Sequence, residues 1–155
     1  MSNNIVIVAH AEFSQGILSS LELVAGPGRA VRCVSVSTTE GIPAIAGQIE
    51  ESIDSLPSAN ATIVLTDIPG GSTTQAALLL LARRKDFYLL SGLNLPLLLQ
   101  LALLDDLAPV VPGRPLSEGA VEVLRAAVDQ SRQAIALING AVDGACLDDD
   151  DSDEL

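Results

Sequence analysis

Four short apolar runs, each followed by a stretch with apolar residues at helical spacing, constrain this chain more than any other feature. The first, residues 5–9 (Ile5, Val6, Ile7, Val8, Ala9), is continuously apolar and largely β-branched, as a parallel strand buried on both faces requires. Ile17, Leu18, Leu21, Val24 and Ala25 then recur at helical spacing until Gly26, Pro27 and Gly28 stop the pattern. Residues 31–36 form a second strand with Cys33 and Val34 inside, and Thr38, Thr39, Glu40 and Gly41 make a loop. Pro43 fits the first turn of a helix whose Ile42, Ile45, Ala46, Ile49 and Ile53 make one stripe, ended by Leu56, Pro57 and Ser58. A third strand, 61–66, runs into the polar loop 67–74. Ser72 or Thr73 is expected to cap the helix that carries Ala76, Ala77, Leu79 and Leu80 and ends in Arg83, Arg84 and Lys85.

Residues 87–90 make the fourth strand, and 91–96 turn into a Leu-rich helix ending near Asp105. Pro109, Pro112 and Pro115 punctuate the next connection. Ser117 is then expected to cap a last helix with Val121, Leu124, Val128, Ile135 and Ile138 on one side, ending at Asn139 and Gly140. Strand and helix alternate four times and one helix follows. The fold class expected is therefore α/β, a single-domain doubly wound and mainly parallel four-stranded sheet in the order 2-1-3-4 with helices on both faces. Aromatics make up only 2% of the 155 residues against 48% hydrophobic, so the core must be built from Leu, Ile, Val and Ala.

Charge and cysteine usage narrow the function classes. Net charge is −12, and six of the twenty acids lie in the last eight residues, which leaves the body with 14 acids against 8 bases. There is no basic stripe, so nucleic acid is not an expected partner. The domain is expected to span 1–147, with 148–155 an acidic, solvating and disordered tail. Cys33 and Cys146 lie far apart and no basic start or cleavage site of a signal peptide precedes them, so they read as reduced thiols of a cytoplasmic protein. The apolar stretch 88–104 contains Ser91, Gly92, Asn94, Pro96 and Gln100. It divides into strand, turn and helix more naturally than it spans a membrane.

His10 is the only histidine, and it stands where the first strand hands over to a helix. With the order 2-1-3-4, strands one and three are neighbours at the switch point, and His10 meets the loop 67–74. His10 offers a nitrogen that serves as nucleophile or base near neutral pH. Asp67 offers a carboxylate to bond the other ring nitrogen and fix the tautomer. Gly70 and Gly71 let main-chain N–H groups approach an anion, and Ser72 adds a hydroxyl at a helix start. Such a set suits a phosphoryl group carried on a ring nitrogen. No Walker lysine or magnesium-ligating cluster is present, so no cofactor and no metal is expected, and the phosphoryl donor is expected to be another phosphoprotein.

At this point the sequence resembles the IIA subunits of the mannose-type bacterial sugar phosphotransferase system, with its mannose, fructose, sorbose and N-acetylgalactosamine branches. Three patches carry the resemblance, in order over residues 3–140. Ile5 to His10, with Phe13, Gly16, Ser20 and Gly26 following, resembles the family's phosphohistidine segment. Asp67-Ile68-Pro69-Gly70-Gly71-Ser72 resembles its Asp-x-x-Gly-Gly-Ser loop, and residues 91–98 resemble its Ser/Ala-Gly-Val-Asn-x-Pro-Met-Leu turn. The resemblance implies that His10 carries phosphate on Nε2, that Asp67 pairs with the ring, and that Ser72 with neighbouring amides, including Thr73 at the helix start, holds the phosphoryl oxygens. It implies the histidine phosphocarrier protein as donor, a cognate IIB subunit as acceptor, and membrane IIC and IID subunits as indirect partners. It also implies a homodimer, in which a carboxyl-terminal strand crosses to the partner's sheet; residues 141–146 are the segment able to do so. Where the family usually has Gly after the histidine this chain has Ala11, a small change provided its φ is negative. Where the family has Pro and a later Asn, this chain has Thr73 and Gln75.

Three other readings share these residues. The phosphocarrier subunit of a dihydroxyacetone kinase system has a related domain, though its histidine is typically followed by Ser. A regulatory module of the same fold would sense phosphorylation without onward transfer. His10, Asp67 and Ser72 also make a Ser/His/Asp hydrolase set, but Ser72 lacks the Gly-x-Ser-x-Gly elbow.

Overall fold

The computed structural model describes residues 3–139. The acidic tail 148–155, the domain boundary at 147, the candidate strand 141–146 and Cys146 lie outside the described residues. Strands β1 (Asn4–His10), β2 (Val31–Val36), β3 (Thr62–Thr66) and β4 (Tyr88–Ser91) alternate with helices α1 (Phe13–Ala25), α2 (Ile42–Asp54), α3 (Ser72–Arg84) and α4 (Leu95–Leu103); α5 (Glu118–Gln133) follows. All three strand pairings are parallel, and the sheet order is β2-β1-β3-β4, as expected.

Strand side chains alternate between faces, and each face has its own core. Ile5, Ile7 and Ala9 with Ile63 and Leu65 meet α1, α4 and α5 through Ile17, Leu21, Leu97, Leu98, Leu101 and Leu124. Val6, Val8, Val34, Val36 and Val64 meet α2 and α3 through Ile45, Ile49, Ile53, Ala76, Ala77 and Leu80. The small Ala76 and Ala77 let α3 lie close to the strands. Arg84 ties α3 to α2 and to the entry of β4, with Asp54 at 2.6 Å and Asp86 at 2.8 Å.

Several element details differ from expectation. Gly71, not Ser72 or Thr73, is the N-cap of α3, and no side chain caps that helix, because both hydroxyls are engaged elsewhere. Helix α5 ends at Gln133, and Ile135 and Ile138 are exposed rather than part of a buried stripe. Val24 and Leu79 also face outward, since each helix buries a narrower strip than its apolar pattern suggests. Ser117 does cap α5, its hydroxyl accepting the Ala120 N–H at 3.5 Å.

Candidate functional site

The register sets the site. β1 and β3 run side by side from Asn4↔Thr62 to Val8↔Thr66, so the chain leaving β3 turns directly under His10, the last residue of β1. Asp67 donates its N–H to the Val8 carbonyl and turns its carboxylate toward the histidine. Asp67 Oδ2 accepts both the main-chain N–H of His10 at 2.9 Å and the ring Nδ1–H at 2.8 Å. Oδ1 accepts the Ile68 N–H and the Thr73 hydroxyl, each at 2.8 Å. The carboxylate is 9% exposed and the imidazole 38%. Burial alone pushes the Asp67 carboxyl up, but the donors of His10, Thr73 and Ile68 outweigh it and hold its pKa below the ordinary aspartate value.

An ionised carboxylate only accepts, so the proton between the two groups sits on Nδ1 and Nε2 keeps its lone pair. Ser72 Oγ, 3.2 Å away, then donates to Nε2. The ring is held by its buried edge and offers a nucleophilic nitrogen at the sheet's carboxyl end. On its other side lies a cleft of about 310 Å3 lined by His10, Ala11, Glu12, Ser35, Val36, Ser37 and Thr38.

The glycines shape the turn. Gly70 has φ 76°, a conformation that carries no steric penalty only for glycine. A Cβ on Gly71 would stand 3.2 Å from both Cβ and O of Ile68. The Gly71 N–H is spent on the Ile68 carbonyl at 2.9 Å, so Gly71 serves by lacking a side chain. The main-chain N–H groups of Ser72 and Thr73, in the first turn of α3, have no preceding helical carbonyl to accept them and make the anion-facing end. Thr73 is 0% exposed; its side chain reaches Asp67, not the surface.

Ala11 does not meet the condition of a negative φ under which it would be a small change: its value is 51°, the left-handed conformation that a non-glycine residue adopts at a cost. Cys33 is free and half-buried on β2, its Sγ donating to the Ser14 carbonyl, and burial pushes its thiol up to about 11. It is no nucleophile at neutral pH.

Residues behind the site were not singled out by sequence reasoning. Thr74 donates to the Ile68 carbonyl at 2.8 Å, and Thr66 and Ser91 meet its hydroxyl at 2.7 and 3.1 Å. This hydroxyl cluster clamps the 67–71 turn to the end of β4. Its signal was present as three hydroxyl residues at strand ends and a helix start, but only the fold brings them together.

A model of the family "EIIA-man: PTS system fructose IIA component" matches residues 4–109. The chain belongs to this family of phosphotransferase-system IIA components. The match covers the four strands, the first four helices and every residue of the site just described. The fructose-specific EIIA component of Bacillus subtilis (strain 168) is 26% identical to this IIA component over 106 residues, 68% of this chain and 73% of the relative. The crystal structure of phosphotransferase system component EIIA from Streptococcus agalactiae superposes with a TM-score of 0.69 at 26% identity, covering 89% of this chain and 98% of that one. The PTS IIA protein associated with the fucose utilization operon of Streptococcus pneumoniae shares the fold, with a TM-score of 0.72 at 23% identity over 92% and 97% of the two chains. Among the described residues, no helix of this IIA component is long and apolar enough to cross a membrane.

Proposed function

We propose that this IIA component is a phosphohistidine carrier acting in the cytoplasm, with Nε2 of His10 the phosphoryl-bearing atom. The observation that carries the reading is the Asp67–His10–Ser72 line, in which Nδ1–H is fixed on a carboxylate and Nε2 is left as the lone-pair nitrogen. Nε2 attacks the phosphorus of a phosphohistidine on the histidine phosphocarrier protein. The donor's N–P bond breaks with its electron pair returning to the donor ring, and a new N–P bond forms at His10. The Nδ1 proton stays in place, and Asp67 offsets the positive charge the ring acquires. Ser72 turns its hydroxyl from Nε2 to a phosphoryl oxygen, and the first-turn N–H groups of α3, beside Gly70 and Gly71, hold the others. Passage to a IIB subunit is the same exchange in reverse, feeding sugar uptake through membrane IIC and IID subunits.

The test is mass and phosphohistidine analysis after incubation with phosphoenolpyruvate, the system's first enzyme and the phosphocarrier protein. One acid-labile phosphate on the wild type and none on His10→Ala is expected; no phosphate from active donors overturns the reading. A hydrolase reading has one observation in its favour, since Ser72, His10 and Asp67 stand in the order of a catalytic triad. Ser72→Ala decides between them. A carrier retains slowed phosphate acceptance, whereas a serine hydrolase loses all turnover.

The carrier is further proposed to work as a homodimer in which residues 141–146 cross to the partner's sheet. What supports this is that β4 ends the sheet order. An apolar groove of about 720 Å3 also runs beside it, lined by Leu89, Leu90, Val110, Val121, Leu124 and Val128 among others. Sedimentation equilibrium of the full chain against one ending at residue 139 tests it, a monomeric full chain being the overturning result.

A further inference from the structure

Thr73 sits in the first turn of α3, fully buried, where its side chain reaches neither solvent nor the face open to an anion. Its hydroxyl lies 2.8 Å from Asp67 Oδ1, on the opposite side of the carboxylate from His10. Each carboxylate oxygen thus holds two donors: Oδ2 both N–H groups of His10, Oδ1 the Ile68 N–H and the Thr73 hydroxyl. Three of these four come from groups whose positions the backbone or the ring already sets. Thr73 supplies the one that a side chain can add or withdraw.

We infer that Thr73 is a positioning residue that sets, through Asp67, how strongly His10 holds a proton or a phosphoryl group. A carboxylate shares its negative charge among its donors. A donor on Oδ1 draws charge away from Oδ2, loosening the hold on Nδ1–H and lowering the basicity of Nε2. A less basic ring nitrogen is a weaker phosphoryl acceptor and a better leaving group, which favours onward transfer. The second part of this inference rests on the phosphohistidine reading; the first does not.

Other charged groups around the ring are few. Glu12, at the entry to α1, lines the same cleft as His10. Glu40, on the loop after β2, is engaged by Ser37 and Gln48. Among the described residues, Asp67 is the charged group in hydrogen-bond contact with the imidazole.

Because the chain has a single histidine, its ring resonances can be followed by NMR without assignment by mutation. Thr73→Val keeps the shape and removes the hydroxyl. The expected result is a rise in the His10 titration midpoint of roughly half a pH unit. Phosphoryl distribution between the phosphocarrier protein and this chain shifts toward His10 by roughly threefold, the same free-energy difference expressed as an equilibrium. Thr73→Ser restores the wild-type midpoint. In an Asp67→Asn background the valine substitution leaves the midpoint where it was, since the route through the carboxylate is gone.

An unchanged or lowered midpoint in Thr73→Val overturns the inference. So does an equal rise in Thr73→Ser, which would trace the effect to packing; Thr73→Ala supplies the comparison if the valine variant misfolds. A wild type that takes no phosphate while its titration responds as described sinks the carrier reading and leaves the coupling of Thr73 to His10 intact.

Discussion

His10 owes its orientation to a carboxylate that is itself held from its far side by the Ile68 N–H and the Thr73 hydroxyl, so the state of one ring depends on groups that do not touch it. Asp67→Asn keeps the side chain's shape but loses the negative charge and one of the two acceptor oxygens, so Nδ1–H and the Ile68 and Thr73 donors can no longer all be satisfied. Phosphoryl transfer should slow by roughly 10–100-fold while some acceptance at His10 remains; full-rate transfer in rapid-quench assays would remove Asp67 from the mechanism. The same carboxylate carries a pH signature. Its folded pKa lies below the ordinary value of 3.8, so its contribution to stability is complete above that value and is lost as pH falls through the folded one. Thermal unfolding of the wild type should therefore weaken more steeply than that of Asp67→Asn as pH falls below the ordinary aspartate value of 3.8. At Ala11, with φ 51°, the left-handed strain costs about 1–2 kcal/mol, whereas glycine's extra unfolded-state freedom costs about 0.4–1 kcal/mol. Ala11→Gly is expected to leave stability equal or raise it by up to about 1.6 kcal/mol in urea unfolding. A loss of that size would mean the strain is relieved by its surroundings. His10, Asp67, Gly70, Gly71 and Ser72 were legible as residue types at strand and helix ends. The sign of Ala11's φ and the inward turn of Thr73 were not, because both depend on what lies across the turn.

At the scale of elements, caps separate what is local from what is tertiary. Asn94 caps α4 with a full-strength bond to the Leu97 N–H at 2.9 Å, and its amide also donates to the Gly92 carbonyl. It thereby fixes a turn whose Gly92 and Leu93 N–H groups both reach the Thr66 carbonyl at the site. Ser117 makes a single cap bond at 3.5 Å. Asn94→Ala should accordingly cost about 1–2 kcal/mol and Ser117→Ala about 0.5 kcal/mol; reversed magnitudes in chemical denaturation would show that cap geometry does not rank them. Strands were easy to read because burial on both faces demands unbroken apolar runs. Helix ends were harder. Apolar spacing continues to Ile138, but Ala134 caps α5, and Ile135, Leu137 and Ile138 stand exposed. Spacing records which residues could share a face, not whether a surface waits to receive them.

At the scale of the molecule, the described residues form a sheet between two cores that do not share side chains. Leu98 belongs to the core under α1, α4 and α5 and Ile49 to the core under α2 and α3, each 0% exposed. Leu98→Ala should cost about 2–5 kcal/mol and Ile49→Val about 0.5–1.5 kcal/mol. Because the sheet separates them, the double variant should be additive to within about 0.5 kcal/mol; a larger coupling would mean the strands transmit strain between layers. The carboxyl ends of β1, β2 and β3 gather on one edge, which turns three loops distant in sequence into one site. The sequence by itself determined the strand and helix alternation, the parallel sheet, the handover at His10 and the loop that faces it. Local patterns specify these through burial period, turn chemistry and chain connectivity. Only the tertiary structure decided which hydroxyl meets which oxygen. Ser72 goes to Nε2 and Thr73 to Asp67, where a cap was the local expectation, and Thr66, Thr74 and Ser91 close behind the turn. A hydroxyl's partner is settled by the nearest unsatisfied polar atom, and whether that atom lies back along the same loop, as Asp67 does for Thr73, or on another strand, as His10 does for Ser72, is fixed only by how the chain folds.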